Sequence, residues 1–183
     1  MPLPTPELGL VISYSYLWST EAAEGREEGV KDRPCALVLS AQDAGGETLV
    51  AVAPVTHSPP PRPEEAVEIP AETKRRLGLD EARSWIVVSE INRFVWPGPD
   101  LRPVSSAEPD RFEYGFLPPG LFRQVLERFE ATVAARRLRL SSSTRYSAPA
   151  APAGDGDANE QGADTDQRER HEPGDQVEPA RRR

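Results

Sequence analysis

The chain has 183 residues, 22 basic against 30 acidic, 20 prolines, one cysteine and a net charge of −8, with 37% of its residues hydrophobic. That composition supports one folded domain with an unpacked extension, and the lone Cys35 excludes an internal disulfide or a thiolate zinc site. No stretch approaches the ~18 apolar residues of a membrane-spanning helix, MPLPTPELGL lacks the charged head and apolar core of a signal peptide, and a cytoplasmic protein with no membrane partner is expected.

Residues 1–8 form an N-terminal extension. From Gly9, GLVISYSYLW alternates with a period of two: Ile12, Tyr14, Tyr16 and Trp18 fall on one face, and Val11, Ser13, Ser15 and Leu17 on the other. That is the pattern of a strand. STEAAEGREEGVKDR then makes a long charged connection. PCALVLS and TLVAVAPVT follow, apolar on both faces and joined by a turn with the pair Gly45-Gly46, so this hairpin is expected at the centre of the sheet. HSPPPRPEE is a proline-stiffened loop and AVEI a short strand. PAETKRRLGL predicts a helical turn with Pro70 at its start and Gly78 as its stop.

SWIVVSEI predicts one further strand, FVWPGPDLRPV a short strand and a Pro-Gly turn, and EYGFL a weak strand. A helix opens at Pro118-Pro119 and sets Phe122, Val125, Leu126, Phe129 and Val133 on one stripe that packs on the sheet. It frays through AARRLRL. Residues 141–183 are a Pro, Gly and Asp-rich tail expected to be disordered: from Ser147 onward Val177 is the only branched aliphatic residue and no aromatic appears. This stretch holds nine acidic residues against five arginines, so half of the net charge of −8 belongs to it. The folded part, 9–140, is therefore only weakly acidic. It is mainly β, a small, strongly bent sheet or barrel capped by a terminal helix. Twenty of the 22 basic residues are arginines, with only Lys31 and Lys74 as lysines, which leaves anion recognition to arginine.

A charged loop, Arg33-Pro34 leading straight into the buried strand CALVLS, a second strand ending Pro54-Val55-Thr56, and then Ser89-Glu90-Ile91-Asn92-Arg93 occur in that order. Over roughly residues 9 to 135 this arrangement resembles the PemK/MazF family, toxins of type II toxin-antitoxin modules. The resemblance implies an SH3-like barrel of the CcdB/PemK/MazF type, usually a homodimer, paired with an antitoxin protein. Most such toxins are endoribonucleases that cut single-stranded RNA without a metal or cofactor, inhibiting growth. Carried over by resemblance, the motif arginine falls on Arg33, the strand-end threonine on Thr56, a loop acid on Glu28, and the later acidic-x-x-basic pair on Glu90 and Arg93. Three departures alter the expected site: Val30-Lys31-Asp32 separates Gly29 from the arginine, Ile91 replaces a common glutamine after the acid, and Val88 stands where some members have a basic residue.

These residue types suit metal-free RNA cleavage, in which the ribose 2′-hydroxyl attacks its own phosphate. Arginine's planar fork can bond two oxygens of the developing dianion, and with a pKa above ~12 it acts electrostatically rather than as a proton donor. Thr56 can donate a hydroxyl hydrogen to the same phosphate. His57 is the only histidine outside the tail, and imidazole, with an ordinary pKa near ~6.5, suits a base or a leaving-group acid. Catalytic roles are thus assigned to Arg33, Thr56 and His57, and substrate contacts to Glu28, Glu90 and Arg93.

Each of these residues also has a bland reading: Arg33 as a salt bridge with Glu28 or Asp32, Thr56 as a hydrogen-bonded strand end, His57 as a solvated loop residue, and Glu90 with Arg93 as an ion pair at a turn. The Tyr14, Tyr16 and Trp18 face reads either as a base-stacking platform or as core or dimer interface, and Cys35 as a buried structural thiol. Two other functions fit the same barrel: a non-catalytic CcdB-like toxin acting on DNA gyrase, and a DNA-associated or regulatory relative that has lost toxicity.

Overall fold

The computed structural model describes residues 3–27 and 29–142. Glu28 and the tail from residue 143 onward lie outside them. The fold is mainly β, a curled, largely antiparallel half-barrel sheet with a helix near its C-terminal end. In chain order the elements are β1 (Leu10–Tyr16), α1 (Ser19–Ala23), β2 (Lys31–Gln42), β3 (Thr48–Thr56), β4 (Ala66–Glu68), α2 (Ala71–Leu77), β5 (Trp85–Val87), β6 (Glu90–Val95), β7 (Glu113–Phe116), α3 (Pro119–Ala134) and β8 (Arg139–Ser142).

The strands follow the order β4-β5-β3-β2-β1-β7, with β6 pairing β3 and β8 pairing β6. The β2–β3 hairpin is central, as its two-sided apolar pattern implies. Leu49–Val52 of β3 pairs with β6, while Val55 and Thr56 pair with β5. One strand edge thus serves two partners in succession, and the sheet bends where it changes. This is why SWIVVSEI is not a single strand. It breaks at Val88-Ser89, where Val88 donates its N–H to Glu65 and Ser89 accepts from Arg139.

Both faces of the sheet are buried, and strand alternation divides the apolar residues between them. Ile12, Tyr14, Tyr16, Cys35, Leu37, Val50, Val52 and Phe94 form one cluster, closed by Leu101, Trp96 and Phe112 from the long 96–112 connection. Val11, Ala36, Ala51, Ala53, Ile86, Val88 and Ile91 form the other, covered by Leu77 of α2 and by Leu121 and Val125 of α3. The stripe on α3 is rotated from the expected one. Leu121, Val125 and Thr132 are buried, Phe122 and Phe129 pack partly, and Val133 is 46% exposed. The aromatic alternation of β1 builds core: Tyr14 stacks on Phe94 at 4.7 Å and both tyrosines are buried.

Two helix ends set later geometry. At α2, Gly78 takes φ +69, and its N–H bonds Arg75 while Leu79 reaches back to Lys74. This is a Schellman closure that glycine adopts without a Cβ penalty. At α3 the same pattern closes with Arg136 at φ 53, turning the chain back into β8, which runs parallel to β6. Among the described residues, no helix is long and apolar enough to cross a membrane.

Candidate functional site

The site lies where the far ends of β2 and β3 meet. The pairing of Cys35 with Pro54, continued by two residues, sets Arg33 across from Thr56. Opposite Arg33 on its other side is Tyr14 of β1. Because directly opposed residues in an antiparallel pair share a face, Arg33 extends the Tyr14, Tyr16 and Cys35 face outward. Its guanidinium lies over the Trp18 ring at 5.1 Å, and Trp18 packs edge-on against Tyr16 at 5.1 Å. An aromatic floor under a planar cation contributes roughly 0.5–2 kcal/mol to holding its orientation. Arg33 Nε is buried with no hydrogen-bond partner among the described residues.

Two adjoining clefts of about 400 Å³ each open at this point, and Arg33 and Thr56 line both. The first also contains His57, Lys74 and Asp80; the second contains Trp18, the Pro59–Pro61 run, Glu90 and Arg139. Arg33 therefore shares one cleft with Thr56 and His57, which lie more than twenty positions further along the chain. Thr56 Oγ1 accepts the Ser58 N–H at 3.1 Å, which leaves its hydroxyl hydrogen for another acceptor. His57 Nε2 meets Asp80 Oδ2 at 2.9 Å, and its side chain is 58% exposed.

The salt-bridge reading of Arg33 finds no support in Asp32, which instead lies 3.7 Å from Arg102. Glu28, the other candidate partner, lies outside the described residues. Neighbouring Gly29 is packed so tightly on β1 that a Cβ there would collide with the Tyr16 carbonyl.

Glu90 and Arg93 do not act as a pair. Three positions apart on β6, they point to opposite faces. The buried Glu90 carboxylate accepts from Ser19 N–H at 3.1 Å, Ser19 O–H at 3.0 Å and Arg139 Nε at 3.0 Å. It ties the start of α1 to β6 and β8. Arg93 lines neither cleft. Nearby, buried Asn92 exchanges two hydrogen bonds with the Leu17 backbone at 2.7 and 3.0 Å, fixing the exit from β1.

Burial pushes the Cys35 thiol well above its ordinary value, with Arg33 opposing only in part. Cys35 is therefore a neutral core residue. Burial likewise raises the Tyr16 phenol. Asp80 is held below the ordinary carboxylate value, first by its hydrogen bond from Lys74 and also by the charges of Lys74 and His57. Among the described residues, no group of three or more His, Cys, Asp and Glu is arranged to hold a metal ion.

Sequence reasoning did not single out Lys74, Asp80 or Arg139. The signal for Lys74 was present: it is a charged residue three positions before Leu77, on the side of α2 that must pack. Arg139 carries no such signal, because β8 is held to β6 by backbone pairing. No known family model matches the chain, and no curated protein matches it significantly.

Proposed function

We propose that the chain is a toxin of the PemK/MazF kind, an SH3-like barrel acting in the cytoplasm as a homodimer, that cleaves single-stranded RNA without a metal and is neutralised by a cognate antitoxin protein. The observation that carries this reading is Arg33. It is an arginine whose buried Nε has no hydrogen-bond partner among the described residues, backed by an aromatic ring, at the junction of two clefts and beside Thr56 and His57.

In the reaction the ribose 2′-oxygen forms a bond to phosphorus and the bond to the 5′-oxygen breaks, leaving a cyclic phosphate and a 5′-hydroxyl. Arg33 stabilises the two negative charges of the intermediate phosphorane, since its donors are already oriented in a partly dry site. Thr56 donates its hydroxyl hydrogen to a phosphate oxygen. His57 takes the 2′-hydroxyl proton or returns a proton to the departing 5′-oxygen. The weakly acidic domain suits a short bound segment gripped at one phosphate rather than a long electrostatic track.

Purified full-length protein should cut long single-stranded RNA in the presence of EDTA. Arg33→Ala should lower the rate by ~100-fold or more, the scale for loss of one oriented donor to developing charge. Arg33→Lys keeps the charge but not the fork and should restore little of it. Intact RNA after incubation with folded wild-type protein refutes the reading.

One observation favours a second reading, a non-catalytic CcdB-like toxin that binds DNA gyrase. Glu90, although it lines the second cleft, already accepts three hydrogen bonds that join α1, β6 and β8. Growth arrest on expression with intact RNA and inhibited DNA supercoiling supports that alternative.

A further inference from the structure

Lys74 is a lysine with a 5% exposed side chain, and its ammonium has three acceptors: Asp80 Oδ1 at 2.7 Å, Ser84 Oγ at 2.6 Å and the Ala82 carbonyl. An ammonium has three N–H donors, so its bonding capacity is filled. It is an anchor rather than a nucleophile or proton carrier. What it anchors is the 80–84 loop, which the Schellman closure at Gly78 turns back beside α2.

Asp80 is the outer end of this anchor. Its Oδ1 takes Lys74 and the Ala82 N–H at 3.0 Å, and its Oδ2 remains for His57 Nε2 at 2.9 Å. With the carboxylate pinned at one oxygen, the other presents a fixed acceptor to the imidazole. A neutral imidazole carries its proton on one nitrogen, and the hydrogen bond made by that nitrogen decides which one it is. Arg33 and Thr56 line the same cleft as His57, Asp80 and Lys74.

We propose that Asp80, clamped by the buried Lys74, is a positioning residue that holds His57 in the Nε2–H tautomer and leaves Nδ1 as the nitrogen with the available lone pair. The consequence for catalysis rests on the nuclease reading above. A ring held in one tautomer and orientation needs no rearrangement before it accepts the 2′-hydroxyl proton, and the neighbouring carboxylate stabilises the imidazolium that forms.

The test uses ¹⁵N-labelled full-length protein at about pH 8.5, two units above the ordinary imidazole value, with His171→Gln to assign the other histidine. The His57 nitrogen shifts should sit at the limits for a protonated Nε2 and a bare Nδ1. In Asp80→Ala they should move toward each other, as in a ring exchanging between tautomers. Lys74→Met, which removes the clamp, should do the same. Asp80 is more than half exposed, so its variant keeps the test available if the Lys74 variant does not fold.

In single-turnover RNA cleavage, Asp80→Ala should lower the maximal rate about ten-fold with little change in half-saturation, the lower end of the roughly 10–100-fold lost when a partner that orients a functional histidine is removed. Unchanged nitrogen shifts in Asp80→Ala overturn the proposal. So does a full cleavage rate in a variant whose tautomer has been released. If the wild type cuts no RNA yet the shifts respond to Asp80→Ala, the tautomer assignment stands and the nuclease reading falls.

Discussion

Replacing Glu90 with alanine separates a structural carboxylate from a substrate-binding one. The side chain accepts two hydrogen bonds from half-buried Ser19 and one from Arg139, whose side chain is 57% exposed. A hydrogen bond to a charged acceptor is worth about 1.5–3 kcal/mol, so the Ser19 pair at the lower end gives about 3 kcal/mol. The Arg139 contribution is screened by solvent and adds at most about 0.5 kcal/mol. These values are already net of the cost of taking the carboxylate out of water.

The expected net loss is therefore about 3 kcal/mol, or roughly 10 °C in Tm for a domain of this size. Thermal unfolding followed by near-ultraviolet circular dichroism measures it. Glu90→Gln keeps a carbonyl acceptor and should lose about half as much, while Arg139→Ala should shift Tm by less than about 3 °C. A Tm within about 2 °C of wild type for Glu90→Ala, together with loss of RNA cleavage, would refute the structural assignment and return Glu90 to the substrate.

Two further outcomes follow from buried and paired groups. Cys35, neutral and buried on the inner face of β2, should not react with a disulfide reagent at mild alkaline pH until the protein is unfolded in urea; rapid labelling of the native protein would contradict its placement. Asp80 has a folded-state pKa held below its ordinary 3.8, so its stabilising contribution is complete above that value and disappears as pH falls through the lower folded-state one. The urea midpoint of wild type should therefore drop more steeply in this acid range than that of Asp80→Asn, and parallel profiles would show that the Lys74–Asp80 contact adds nothing to stability.

The strand at residues 10–16, the central hairpin, the Gly78 stop of α2 and the opening of α3 at Pro119 were legible in the sequence, because each depends on local periodicity or on a residue with restricted backbone geometry. The split of SWIVVSEI was not. Its cause is the sheet's curl, which makes β3 change partners along one edge. The end of α3 was hidden for a different reason: the left-handed position falls on Arg136, where an L-residue is held at a cost of about 1 kcal/mol by the chain's return along β6. Strand β8 then forms through backbone hydrogen bonds and leaves no apolar alternation to read.

The ingredients of the candidate site are legible in the sequence: few lysines, an arginine leading into a buried apolar run, and a threonine and histidine at the end of the next. Antiparallel register makes the meeting of Arg33 with Thr56 almost a local property of the hairpin. The rest depends on long-range packing. It put Trp18 under the guanidinium, tied Glu90 to α1 and β8, and brought the Lys74–Asp80 anchor to His57. Those contacts join elements distant in the chain. Their partners are chosen by how the curled sheet closes over its two cores, which no short window of sequence encodes.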